Sequence, residues 1–227
     1  MSKPSDRIRA RLAAAGERFR ANDNIARFIE PGELEALTDE VAERVGDLLR
    51  SLVIDTENDH NTRDTAKRVA RMYMGEIFAG RYEPSPDLTA FPNVNSYDEL
   101  YLVGPITIRS TCAHHLQNIR GNCWVGIYPG KNVLGLSKFY RLAEWITARP
   151  QIQEEMTIQI ADLVEAETVA EGVAVVIKAE HMCVTHRGVR EHASDMTTSV
   201  LRGKLRDNSD TRAEFFRLLQ GMKGFAG

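Results

Sequence analysis

One short stretch of this sequence concentrates side chains that bind transition metals. The segment R-S-T-C-A-H-H-L-Q, residues 109–117, holds Cys112, His114 and His115, three of the nine cysteines and histidines in the chain. The i, i+3 spacing of Cys112 and His115 can bring both side chains to one point only where the backbone turns. Thiolate and imidazole are preferred zinc ligands. Taken alone, the stretch still favours a simpler interpretation, a buried free cysteine beside two surface histidines.

A second stretch, A-E-H-M-C-V, changes that interpretation. His181 and Cys183 are two residues apart at the end of a predicted strand over 172–184, so both side chains are expected on one face. The upstream positions on that face are all apolar: Val173, Val175, Ile177 and Ala179. A hydrophobic row that ends in His and Cys predicts a strand running from the core into a site.

Together the two stretches predict a catalytic metal centre. Cys112, His115 and Cys183 would supply three zinc ligands and leave the fourth position to water, which is the arrangement of catalytic zinc. His114 and His181 then lie beside the metal without being needed as ligands, and we expect them to transfer protons. Cys123, the remaining cysteine, is predicted to lie in the core of a strand.

Basic residues around these stretches suggest an anionic substrate. Ser137 and Lys138 begin a predicted helix that also carries Arg141, and helix N-termini hold phosphates well. Arg187 follows Cys183 by four residues. Each of these charges, considered singly, is better explained as solvated surface; only their convergence on one site would indicate substrate binding.

The elements that must position these residues change character along the chain. Residues 1–30 read as an N-terminal arm or loose helix, and residues 31–95 as a helical region. Within the helical region, an amphipathic helix is indicated by apolar residues at three- and four-residue steps: Leu34, Leu37, Val41, Val45, Leu48 and Leu52. Residues 96–227 mix alternating strands with helices, with one strand interrupted at Gly104-Pro105. The layout predicts an α+β fold, an antiparallel sheet with helices on one side.

Composition excludes several classes of protein. The net charge is −3, so nothing suggests bulk nucleic-acid binding. The sequence lacks an apolar run long enough for a membrane span, and its first residues do not resemble a secretion signal. Three unevenly spaced cysteines do not make a disulfide framework, so we expect a cytoplasmic protein with thiols that are free or bound to metal.

Ordered motifs over about residues 33–219 resemble the GTP cyclohydrolase I family. The resemblance is carried by D-T-A-K-R-V-A-R-M-Y (64–73), S-T-C-A-H-H (110–115), G-L-S-K-F-Y-R (135–141), R-P-Q-I-Q-E (149–154), H-M-C-V-T-H-R-G (181–188) and T-R-A-E-F-F (211–216). It implies the tunnelling fold, pentameric rings that pair into a decamer, and conversion of GTP and water to formate and 7,8-dihydroneopterin triphosphate.

The resemblance also implies roles for individual residues. The zinc ligands, one ion per chain, would be Cys112, His115 and Cys183, and the acid–base pair His114 and His181. Guanine would be recognised by Glu154 with Gln153 beside it. The triphosphate would be held by Ser137, Lys138, Arg141 and Arg187, with Arg68 and Arg71 helping from a neighbouring subunit.

The sequence departs from the family pattern at three positions, and two alternatives stay open. Ala113 stands where most members have glutamate, Glu155 where a basic residue is common, and Ala66 where proline is usual. One alternative is a catalytically silent zinc-binding paralogue. The other is a different pterin or deazapurine enzyme on the same fold, such as a nitrile reductase, which would need a nucleophilic cysteine free of metal.

Overall fold

The protein is described here by a computed structural model that covers residues 2–225, and the chain divides into two compact units between Pro84 and Ser85. The sequence predicted this boundary later, after residue 95. Among the described residues, the first unit is helical and the second contains the β-strands.

The first unit is built from helices around a small apolar core. Its elements are α1 (Pro4–Ala14), a 3-10 turn (Ala26–Phe28), α2 (Glu33–Ser51), α3 (Thr65–Met72), a π-helical turn (Tyr73–Ile77) and α4 (Ala79–Tyr82). Ile8 and Leu12 of α1 are buried against Leu37 and Met74. Ile8 and Leu12 therefore help to anchor the N-terminal helix in this unit.

Helix α2 forms where the sequence predicts it, but its apolar stripe is only partly covered within this unit. Leu37 is buried, whereas Leu48 at the other end of the helix is 57% exposed. Leu52 and Val53, directly after the helix, are 60% and 92% exposed. The apolar stripe that predicts this helix is therefore buried at Leu37 and exposed from Leu48 onwards.

The second unit is a five-stranded sheet with helices. Its elements are β1 (Ala90–Pro92), β2 (Tyr101–Cys112), β3 (Asn118–Tyr128), β4 (Asn132–Leu134), α5 (Leu136–Thr147), β5 (Pro150–Gln151), α6 (Gln153–Thr168), β6 (Gly172–His181), α7 (Met182–Thr185), β7 (Met196–Gly203), α8 (Lys204–Asp207) and α9 (Ser209–Gln220). The strand order is β5-β2-β3-β6-β7, antiparallel except for the parallel β5–β2 pair, and β1 pairs separately with β4.

Alternating side chains of the sheet build two cores. One face packs against α5 and α6 through a large cluster that includes Cys123, Val125, Ile127, Val173, Val175, Ile177, Phe139, Leu142, Ile146, Met156, Ile160 and Val164. On the other face, Trp124 and Val176 pack against Phe215 and Leu219 of α9. The α+β class is confirmed, with α5 and α6 on one side as expected and the last helix added on the other. Cys123 is completely buried, as predicted.

Two strands differ from their predicted course. Strand β2 runs through Gly104-Pro105 without ending, and its pairing with β3 shifts register between Val103 and Ile106. A Cβ at position 104 would lie 2.5 Å from the Trp124 ring, so only glycine allows this close approach. Strand β6 ends at His181 and is followed by the single helical turn α7. In residues 2–225, none of the helices has the length and apolar character needed to cross a membrane.

Candidate metal centre and active site

The candidate centre begins at the chain reversal between β2 and β3. The Cys112 N–H donates to the Gln117 carbonyl (2.8 Å) and the Leu116 N–H donates to the Cys112 carbonyl (2.9 Å). These bonds close a turn at residues 112–117 and allow the i and i+3 side chains to converge. The short strand β5 pairs in parallel with the end of β2 and places Gln151 opposite Cys112. Helix α6 therefore starts beside the turn.

The end of β6 reaches the same place from the other side. Ile119, at the start of β3, pairs with His181, the last residue of β6. Cys183 lies two residues after His181, in the helical turn α7 and not on the strand. The prediction that strand alternation would align His181 with Cys183 is therefore wrong, because the backbone coils after His181.

Three metal-binding side chains nevertheless converge. One ligand atom each from Cys112, His115 and Cys183 lies within 4.8 Å of the others. Within residues 2–225 this is the one group of three or more His, Cys, Asp or Glu side chains that meets such a criterion. Two thiols and an imidazole match the chemistry of a zinc site with an open position, so the donor set fits the ion that the sequence predicted.

The electrostatics of the thiols fit the same interpretation. Burial raises the pKa of Cys183, and the adjacent Cys112 thiol raises it further, while Arg187 lowers it. Without a cation, the Cys183 thiol therefore resists becoming a thiolate. A divalent ion reverses this balance, because coordination deprotonates the thiol.

His114 and His181 lie at the edge of this cluster. The Nδ1 atom of His114 is 3.8 Å from the Cys112 sulfur, and its ring meets the His115 ring edge-on at 6.4 Å between centroids. His181 is half-buried at the end of β6. Burial lowers the pKa of His181, and the nearby Glu154 carboxylate partly opposes this shift. His181 is thus favoured in its neutral form near physiological pH, as a group that accepts a proton requires.

Gln153, which the resemblance places beside Glu154 in guanine recognition, is the first residue of α6. Its side chain is completely buried (0% exposed). The two hydrogens on Nε2 are shared among three oxygens, the Ile177 carbonyl (3.1 Å), the Met196 carbonyl (3.0 Å) and the Thr198 hydroxyl (3.0 Å). Its Oε1 atom is 2.8 Å from Nε2 of His181. Direct contact with a substrate would require this network to break.

The other predicted substrate-binding residues of the second unit lie on its surface. Glu154 is exposed in the first turn of α6, next to Gln153. Ser137, Lys138 and Arg141 occupy the start of α5, where Lys138 donates to the Asp87 carbonyl (2.7 Å). Arg187 is exposed just after α7. The structure establishes the positions of these residues in the fold, and their convergence on a phosphate chain stays a prediction.

Arg68 and Arg71 belong to the first unit. Both are exposed on α3, and Arg68 lies 3.7 Å from Asp64 in an i, i+4 ion pair. An exposed pair of this kind contributes little to stability, so it leaves the guanidinium available to other anions.

Thr157 and Thr198 were missed by sequence reasoning. Their hydroxyls are 2.7 Å apart, and Thr157 also donates to the Gln153 carbonyl (2.7 Å). The i, i+4 spacing of Gln153 and Thr157 places them on one helix face. Nothing in the sequence connects either residue with Thr198, which lies on β7.

Comparisons with known proteins identify the family that this chain resembles in sequence. A family model described as GTP cyclohydrolase I matches residues 41–220. GTP cyclohydrolase 1 of Shewanella loihica is 38% identical over 80% of this chain and 85% of that protein. The protein of the same name from Corynebacterium glutamicum is 41% identical over 79% of this chain and 93% of that protein. The crystal structure of an archaeosine synthase QueF-Like in the apo form aligns at 16% identity with a TM-score of 0.35, covering 53% of this chain and 97% of that one.

Proposed function

We propose that this chain, which belongs to the GTP cyclohydrolase I family, converts GTP and water to formate and 7,8-dihydroneopterin triphosphate at the centre formed by Cys112, His115 and Cys183. The observation that carries the proposal is the convergence of these three ligands beside two further histidines. A structural zinc site would use four protein ligands, whereas three leave room for a reacting water.

Zinc, one ion per chain, is the metal that this donor set would hold. When bound, it lowers the pKa of a coordinated water so that a nucleophile is present near neutral pH. The protein's part is to supply Cys112 and His115 from one rigid turn and Cys183 from α7. These residues would hold the ion near the proposed proton-transfer groups.

His181 and His114 would move protons during opening and reclosure of the ring. Protonation of N7 makes C8 of a purine more electrophilic and allows the ring C–N bond to break. His181, neutral through burial, is suited to take up a proton and deliver it to that nitrogen. His114, on the side of Cys112, would exchange the second proton.

Glu154 would select guanine. A carboxylate can accept one hydrogen bond from N1–H and a second from the 2-amino group, and adenine offers no such pair. Glu154 is exposed at the start of α6, next to Gln153, whose side chain contacts His181. This position favours a role in guanine recognition.

The triphosphate would be bound by Ser137, Lys138, Arg141 and Arg187, with Arg68 and Arg71 contributed by a neighbouring subunit. A ring-based homo-oligomer, a decamer of two pentamers in the family, would be needed to complete such a shared site. Ala113 replaces the glutamate that most family members have, and we expect this difference to affect the reaction rate.

A direct assay tests the proposal. The purified protein is incubated with GTP, formate is measured, and the products are oxidised to reveal a fluorescent pterin. Equal amounts of formate and pterin are expected. Bound zinc without either product would indicate a silent paralogue, and a protein active on another substrate without zinc would indicate a different enzyme of the same fold.

A further inference from the structure

We propose that Gln153 is a positioning residue that holds His181 with its hydrogen on Nε2, so that Nδ1 is the nitrogen that exchanges protons with the substrate. This inference rests on the proposed function for its catalytic meaning. Its structural content, the orientation and tautomer of one histidine ring, stands on the contacts of Gln153 alone.

The orientation of the Gln153 amide follows from its neighbours. Two of the groups around its Nε2 atom are the backbone carbonyls of Ile177 and Met196, at 3.1 and 3.0 Å. A carbonyl oxygen can only accept, so the amide atom facing these two must be the NH₂ group. The opposite assignment would place three oxygens against one another in a completely buried site. The amide oxygen Oε1 therefore faces His181.

The tautomer of His181 follows from the amide. Oε1 of Gln153 lies 2.8 Å from Nε2 of the ring, and an amide oxygen accepts but cannot donate. Nε2 must therefore carry the hydrogen in the neutral ring as well as in the charged one. Nδ1 is therefore the nitrogen that keeps its lone pair. The hydrogen bond from Nε2 to Gln153 thus determines which ring nitrogen can exchange a proton.

The network also fixes the ring in space. Gln153 is anchored to β6 through Ile177 and to β7 through Met196 and Thr198, while its own backbone begins α6. The Gln153 side chain thus links the start of α6, the end of β6 and the start of β7. Removal of a group that orients a functional side chain in this way typically lowers activity about ten- to a hundredfold.

Kinetics of Gln153→Met provide the first test. Methionine keeps the length and volume of the side chain and removes its hydrogen bonds. We expect kcat to fall roughly ten- to a hundredfold with KM for GTP and zinc content little changed, because the ground-state contacts remain. The matched control is Gln220→Met, the same substitution at an exposed position at the end of α9, outside this network. That variant should keep kcat within about threefold of wild type.

A double-variant cycle separates positioning from a general loss of structure. If Gln153 acts through His181, adding Gln153→Met to His181→Ala should lower the residual kcat by no more than about twofold, because the two effects share one interaction. A full additional loss in the double variant would mean that Gln153 only supports the fold, and the proposal would fail.

Nitrogen NMR makes the tautomer observable without any activity. Solid-state ¹⁵N spectra of histidine-labelled protein are recorded, and the His181 signals are identified by subtracting the spectrum of His181→Ala. We expect a protonated Nε2 and a bare Nδ1 in the neutral ring, and a mixture of tautomers in Gln153→Met. A wild-type ring protonated on Nδ1 would overturn the proposal, even with GTP turnover intact. Conversely, the expected tautomer without GTP turnover would reject the proposed function alone.

Discussion

At the scale of single residues, Cys183 differs from the other candidate ligands in how it is held. Cys112 and His115 share one hydrogen-bonded turn, whereas Cys183 comes from a separate helical turn after β6. Cys183→Ala should leave the other two ligands in place and still lose most of the bound zinc, because two ligands hold the ion far more weakly than three. Elemental analysis measures this directly. Cys123→Ala is the control, since that cysteine is buried in the core, and full zinc occupancy in Cys183→Ala would refute the ligand assignment.

The two histidines beside the cluster should behave as proton carriers and not as ligands. We expect His114→Ala and His181→Ala to retain close to one zinc per chain and to lose turnover by at least roughly a hundredfold, the usual scale of general acid–base catalysis. Formate release and zinc content are measured on the same samples. His60→Ala, whose side chain is exposed in the first unit, controls for loss of a histidine as such. Near wild-type turnover in either site variant would remove that residue from the mechanism.

Glu154 gives the test of substrate identity. If its carboxylate accepts two hydrogen bonds from guanine, its removal loses two bonds to a charged group, each worth about 1.5–3 kcal/mol. Glu154→Ala should therefore lower kcat/KM for GTP by roughly two to four orders of magnitude, with zinc unchanged. Glu167→Ala, at the other end of α6, is the matched control. Wild-type enzyme should reject ATP by about 10⁴ or more, and comparable use of ATP and GTP would disprove the guanine assignment.

The predicted site residues divide into two kinds. The convergence of Cys112 with His115 could be expected from the sequence, because residue type and a spacing that needs a turn are local properties. The role of Gln153 could not, since its partners Ile177 and Met196 are 24 and 43 residues away in the chain. Such contacts exist only after the sheet has formed.

At the scale of elements, the sequence pattern identified most helices and strands but misplaced two strand features. Strands β3 and β6 were predicted from their apolar residues, and both strands are buried between the two cores of the second unit. The continuity of β2 through Gly104-Pro105 depends on Trp124 from the neighbouring strand, which no local pattern reveals. The helical turn that holds Cys183 was also missed. The alternation of residue types continues past His181, so the sequence predicted a strand to residue 184, whereas the strand ends at His181.

Helix α1 is held to α2 by a buried charge, and this contact should depend on pH. Glu33 accepts hydrogen bonds from Arg7 and Arg11 and from the Glu30 N–H. Burial raises the pKa of Glu33, but these donors outweigh it and hold the pKa below its usual value. A lowered pKa stabilises the folded state above the ordinary carboxyl range, and this contribution disappears as pH falls through the folded-state value.

Glu33→Gln should therefore weaken α1 at neutral pH and matter less in acid. We expect amide hydrogen exchange over residues 4–14 to be roughly ten- to a hundredfold faster in Glu33→Gln at pH 7, which corresponds to about 1–3 kcal/mol for bonds to a charged group. The difference should begin to narrow as the pH falls below about 4, the ordinary carboxyl range. It should disappear once the pH is below the lowered pKa of Glu33, where the carboxyl of the folded wild type is protonated too. Glu35→Gln, exposed on the same turn, is the control. A difference that is constant with pH would show that the Glu33 charge is not involved.

At the scale of the whole molecule, the first unit leaves apolar surface uncovered. Leu48, Leu52 and Val53 are all more than half exposed at one end of α2, next to a polar helix face. Contiguous apolar surface of this kind is uncommon in monomers and marks sites of association. This exposed end of α2 supports the proposed homo-oligomer independently of the arginines on α3.

The assembly itself gives the last prediction. A site that takes Arg68 from one chain and Cys112 from another cannot exist in a monomer, so we expect light scattering to give a large multiple of the 25.5 kDa chain, about 255 kDa (10 × 25.5 kDa) for a decamer. Leu52→Glu combined with Val53→Glu places charges on the exposed apolar end of α2, and burying them in an interface would be costly. The double variant should dissociate and lose turnover together, while zinc content stays the same because its ligands come from one chain. Glu35→Gln serves as the surface control. A fully active monomer of about 25 kDa, for wild type or for the double variant, would refute the shared site.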